Sequence, residues 1–206
     1  DDRWDVAQDP FCWYNEAVDP VHWGVAEADL KATAQFDRDF RTIGAGLGVR
    51  FGKDILKATG VPVGLVMCSH GGTSLAQWSP KLKNEGGKSL YGSFIRRTQL
   101  LGGPFKGLLW YQGESDAATD DGKKYHKNLT NFIKTLRKDL DQPELAFIQV
   151  QLSSLLLSME EFPHWDAVRD DQLQLEKDLP GVFTVTAVDL HLDDAIHVCT
   201  ADMRKL

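Results

Sequence analysis

"FKGLLWYQGESDAATDDGKKYHKNLTNFIKTLRKDLDQPELAFIQVQL", Phe105 to Leu152, is the stretch whose reading decides the fold. Phe105 to Gln112 is a short apolar run following Gly-Gly-Pro, the signature of a buried strand. The polar loop "GESDAATDDG" interrupts it. From about Lys123 to Leu140, Tyr125, Leu129, Phe132, Ile133 and Leu136 recur three and four residues apart, so one helical face is apolar. "PELAFIQVQL" (143–152) then reads as another buried strand. A strand, a helix and a strand in this order make a crossover unit, which joins parallel strands.

The same alternation extends in both directions. Downstream, "DAVRDDQLQLEKDL" (166–179) has helical spacing, and "GVFTVTAVDL" (181–190) is again strand-like. Upstream, "IGAGLGVRFGKDILKATG" (43–60) spaces Leu47, Val49, Phe51, Ile55 and Leu56 as a helix that stops at Gly60. "VPVGLVMCS" (61–69) is β-branched and apolar, and predicts a strand. Alternating helices and apolar strands imply an α/β fold, a three-layer α/β/α sandwich around a central parallel sheet. The aromatic, proline-broken stretch Trp4–Gly24 reads as an ordered loop. With 206 residues and 42% hydrophobic content the chain suits a single domain over residues 1–206.

The net charge of −7, with no lysine- or arginine-rich run, argues against nucleic acid or an anionic membrane as partner. The longest apolar runs are too short to cross a bilayer, and the polar start is no signal peptide. Cys12, Cys68 and Cys199 are far apart, form no CxxC pair and read as unpaired, mostly buried thiols.

In such sheets ligands bind beyond the carboxyl ends of strands. Three polar stretches follow strands here: "CSHGGTS", "YQGESD" and "LHLDDAIH". In the last, Asp194 precedes His197 by three residues, a spacing at which a carboxylate can hold an imidazole for general-base work. Gly71 and Gly72 allow backbone N–H groups to approach an oxyanion, because no Cβ intervenes. Gln112 offers an amide to an oxyanion or holds a loop together. Glu114 is a buried acceptor or a solvated loop acid. His191, Asp193, Asp194 and His197 also contain ligand types for zinc, a weaker reading because no further ligand cluster supports it. The absence of a G-x-S-x-G elbow counts against an ordinary α/β-hydrolase, and the absence of a Gly-rich phosphate loop removes the simple nucleotide-binding readings.

Taken together, "PVGLVMCSHGGTSLAQW", "FKGLLWYQGESDA", "WDAVRDDQ" and "DDAIH" resemble the sialate O-acetylesterase-like carbohydrate esterases of the SGNH (GDSL-type) hydrolases. The resemblance runs from about Trp4 to the end. It implies a flavodoxin-like α/β/α fold, serine acyl transfer and an acetylated carbohydrate, of sialic acid or xylan type, as substrate. It implies no cofactor, and a secreted or periplasmic location. By position, His197 would be the general base, Asp194 its orienting acid, and Gly72 and Gln112 the oxyanion donors, with Gly71 and Glu114 beside them. The family carries its nucleophile in a G-Q-S-N-M block, and none occurs in these 206 residues. The expectation is therefore a domain truncated at both ends, lacking its first strand, with strand and nucleophile supplied by a second polypeptide segment. Ser69 or Ser115 acting instead is one alternative. A non-catalytic carbohydrate-binding relative, with Trp78, Trp110 and Trp165 stacking on sugars, is the other.

Overall fold

The computed structural model describes residues 4, 6–8 and 46–206. The stretch read as an aromatic loop, Cys12 included, falls mostly outside the described residues. Helix α1 spans Leu47–Thr59 and closes on Gly60, whose left-handed backbone returns its N–H to the Leu56 carbonyl. A 3₁₀ stretch, Pro80–Lys88, leads into α2, Leu90–Leu101. There the Ser89 Oγ accepts the Gly92 N–H at 2.9 Å and caps the helix.

Strand β1 is Gly107–Trp110 and β2 is Ala146–Val150. Between them lie the short helix α3, Glu114–Ala117, a 3₁₀ turn, Asp120–Lys124, and helix α4, Tyr125–Asp139. Helix α5, Trp165–Asp178, precedes β3, Val182–Val185, and a 3₁₀ turn, Asp202–Lys205, ends the chain. The strands pair in parallel in the order β1-β2-β3, with Trp110 beside Gln149 and Gln149 beside Thr184.

The helical period read for α4 is the one that packs. Tyr125, Leu129, Phe132, Ile133 and Leu136 are all buried. Phe132 meets Trp110 at a ring separation of 4.9 Å and Phe147 at 6.4 Å. Gln149, on the same face of β2 as Phe147, donates to the Gln172 carbonyl of α5, so α4 and α5 cover one side together. Val150 points the other way, into a smaller cluster with Ala187, Leu190 and Val198, flanked by Leu47, Tyr111 and Leu192.

One expected strand does not form. Residues 61–69 make no ladder among the described residues. Val61 is exposed, and the Met67 carbonyl accepts instead from Arg97 Nη1 of α2 at 2.7 Å. Apolar β-branched composition favours extended backbone, but a strand also needs a neighbour for its N–H and C=O groups. The other strands are shorter than read, at both ends for β1 and β2.

Candidate active site

His197 sits on a small hairpin closed by the antiparallel bridge Leu192–Val198 and by Asp193 N–H donating to the His197 carbonyl at 3.0 Å. Asp194 organises its tip. Oδ1 accepts from the Ile196 and His197 backbone N–H groups at 2.9 and 2.8 Å. Oδ2 faces His197 Nδ1 at 2.6 Å. The Ile196 amide, then the imidazole and the His197 amide, hold this carboxyl down to about 2. Both side chains are open to solvent, 67% for His197 and 56% for Asp194, so the imidazole is positioned yet reachable.

The hairpin is fixed at three points. Ser153 Oγ donates to the Ile196 carbonyl at 2.9 Å, and the Leu156 N–H donates to the Ala195 carbonyl at 3.0 Å, both from the segment after β2. At its base Asp202 Oδ2 faces His191 Nδ1 at 2.8 Å and accepts the His191 N–H, while Oδ1 pairs with Lys205 at 2.7 Å. These donors, the His191 amide first, hold the Asp202 carboxyl well below the usual range.

The four zinc-type residues are thereby dispersed. His191 pairs with Asp202, Asp193 accepts from the Thr200 N–H, and Asp194 serves His197. Among the described residues no group of three or more His, Cys, Asp or Glu side chains is placed to hold a metal ion.

Gly71 and Gly72 are exposed on the turn before Thr73. Gly72 has φ of 65°, a backbone conformation that glycine adopts without strain. Among the described residues no acceptor engages either amide. The turn is braced from below. Thr73 Oγ1 donates to the His70 carbonyl and accepts from Trp78 Nε1 at 3.0 Å.

Gln112 departs from its expected role as oxyanion donor. It is buried, and its Nε2 donates both hydrogens internally, to the Thr73 carbonyl at 2.9 Å and to Asp116 Oδ2 at 2.6 Å. An amide has only two such hydrogens, so none remains for a substrate. Gln112 is a strut between β1 and the glycine turn.

Gly113 makes the exit from β1 possible. Its φ is 150°, and a Cβ there would lie 3.0 Å from Val168 and 3.2 Å from Leu152. The turn sets Glu114 at the start of α3, half-buried and beside His197. Burial raises its carboxyl, partly opposed by backbone N–H groups and by His197. Tyr111 is pushed up strongly, by burial first and by Glu114 second.

Neither serine proposed as a substitute nucleophile is hydrogen-bonded to His197: Ser69 lies exposed beside the glycine turn and Ser115 is half-buried in α3. The sugar-stacking role of the tryptophans is corrected too. Trp78, Trp110 and Trp165 are 5%, 7% and 1% exposed. Trp110 packs edge-on to Trp78 at 5.5 Å, and Trp165 Nε1 is bound to the Ser153 carbonyl. They are core residues with no face left for a ligand.

The structure adds residues the sequence did not single out. Asp116, fully buried, accepts the Leu75 N–H and the Gln112 amide. Gln172, also fully buried, donates to the Gln112 carbonyl at 3.1 Å and accepts the Leu152 N–H at 2.9 Å. Tyr125 OH donates to the same Gln112 carbonyl at 2.9 Å. Gln172 falls inside the quoted block "WDAVRDDQ", and a glutamine at an apolar position of a helix was the available signal.

A family model described as "carbohydrate esterase, sialic acid-specific acetylesterase" matches residues 2–206, and the chain belongs to that family. A "probable carbohydrate esterase" of Arabidopsis thaliana is 33% identical over 206 residues, covering 96% of this chain and 74% of that protein. An Arabidopsis thaliana crystal structure superposes with a TM-score of 0.71 at 30% identity, over 98% of this chain and 72% of that one. A carbohydrate acetylesterase of Xanthomonas citri gives a TM-score of 0.64 at 27% identity, over 77% of this chain and 37% of that one. No described helix is long and apolar enough to cross a membrane.

Proposed function

We propose that the protein removes O-acetyl groups from sugars by acyl transfer through a serine, with His197 as general base and Asp194 as its orienting acid. The observation that carries this reading is the Asp194–His197 pair: 2.6 Å, locked by two backbone N–H groups, with the imidazole open to solvent. Asp194 keeps the proton on Nδ1, which leaves Nε2 to take a proton from the attacking hydroxyl. Nε2 then returns that proton to the departing sugar alkoxide. The Gly72 N–H, with Gly71 beside it, supplies hydrogen bonds to the tetrahedral oxyanion.

The surroundings favour a neutral sugar. Asp193, Asp194 and Glu114 crowd the histidine hairpin, and the chain carries a net charge of −7. An acetylated pyranoside such as that of xylan meets less repulsion there than the carboxylate of a sialic acid. Acetate release from acetylated xylan and from O-acetyl sialic acid by the full-length protein tests the reading. A fluorophosphonate probe with peptide mapping identifies the serine. Release from neither sugar ester, with no labelled serine, refutes it.

A further inference from the structure

The Gln112–Asp116 contact has a role beyond filling space. Asp116 is fully buried in α3, with no cation bonded to it among the described residues. Its Oδ2 alone accepts from two partners, Leu75 N–H at 3.0 Å and Gln112 Nε2 at 2.6 Å, and Oδ1 also accepts the Leu75 N–H at 3.3 Å. Gln112 in turn grips the Thr73 carbonyl. The loop bearing Gly71 and Gly72 is thus held at residues 73 and 75 by one carboxylate 41 residues away. Burial raises the carboxyl while its donors oppose the shift, so the group is kept at some cost to charge solvation.

We propose that Asp116 is a positioning residue: through Leu75 and Gln112 it sets where the Gly71 and Gly72 amides stand, and so the fit of the oxyanion donors to the transition state. The proposal rests on the esterase reading above. It places no demand on the negative charge itself, because a single acceptor at the Oδ2 position serves both donors. Asp116→Asn can supply that acceptor, whereas Asp116→Ala cannot.

Displacing a donor by about 1 Å costs on the order of 10²-fold in rate. In Asp116→Ala we expect kcat on 4-nitrophenyl acetate to fall about 10- to 100-fold, with KM within about threefold, because the oxyanion exists only in the transition state. The Leu75 amide should exchange its hydrogen at least tenfold faster. Asp116→Asn should restore both readouts to within about threefold of the starting protein. A purely structural role would leave kcat unchanged at temperatures well below the melting point of the folded variant.

Unaltered loop exchange in Asp116→Ala, or faster exchange with unaltered kcat, overturns the proposal, as does equal impairment of the two variants. Should the alanine variant not fold, the unsubstituted protein decides. A Leu75 amide exchanging as fast as those of Gly71 and Gly72 refutes the anchor without any variant. If the unsubstituted protein turns over no acetyl ester, the esterase reading fails while the exchange data still judge the anchor.

Discussion

Asp194→Asn separates orientation from stability, and the structure fixes its outcome. Oδ1 accepts two backbone N–H groups, from Ile196 and His197, so an asparagine must place its carbonyl oxygen there. Its NH₂ then takes the Oδ2 position, 2.6 Å from His197 Nδ1. Facing a donor, Nδ1 must become the acceptor, which moves the imidazole proton to Nε2. A neutral ring in that form cannot take a proton from a hydroxyl. The loss expected for the wrong tautomer is on the order of 10⁴ in kcat, about 5 kcal/mol of barrier. Stability should hardly change, because both backbone bonds survive and the pair is exposed. The assay is kcat on 4-nitrophenyl acetate at neutral pH, alongside the melting temperature and the ¹⁵N shifts of the imidazole. A folded variant that keeps more than a tenth of the rate, or still carries its proton on Nδ1, would refute the reasoning.

Acid offers a related check. The folded Asp194 carboxyl lies at about 2, below the ordinary 3.8, so its contribution to stability is complete above about pH 4 and fades as pH falls towards 2. Whatever small difference in urea midpoint separates the parent from Asp194→Asn near neutrality should therefore vanish in strong acid. Gln172→Leu removes the acceptor of the buried Leu152 N–H and should cost about 1–3 kcal/mol in urea unfolding. Trp165→Ala empties a site that is 1% exposed and should cost about 3–5 kcal/mol. A loss below 1 kcal/mol would show that the surrounding core collapses into the space. Ser153→Ala frees the Ile196 carbonyl and should lower kcat more than melting temperature.

The elements from β1 to β3 were legible because their apolar residues recur at the period of the structure that buries them. In α4 five spaced residues define one face, and that face meets Trp110 and Phe147. The segment 61–69 misled for the complementary reason: composition reports a liking for extended backbone but says nothing of a partner strand. The Asp194–His197 pair was visible because both groups lie within four residues. The strut was not. Asp116 and Leu75 are 41 residues apart, and Ser153 and Ile196 are 43 apart. Such contacts exist only once the sheet has brought three loops to one end. The occupation of the Gln112 amide by Thr73 and Asp116 was not legible either, since a free amide and a fully occupied one look identical in sequence. The tryptophans failed likewise, because ring count does not distinguish a sugar platform from a core.

The two halves of the site stand on different foundations. The glycine turn is tied through Asp116 and Trp78 to the large core, whereas the His197 hairpin sits mainly on the smaller cluster Val150, Ala187, Leu190 and Val198, with Ile196 reaching the large core. Less buried apolar surface secures the second, so it opens at lower cost than the whole protein. On heating, activity should vanish while the helices on the other face still give their full circular dichroism. Storage life is then set by that hairpin, and extra bonds placed there would lengthen it more than any repair of the main core.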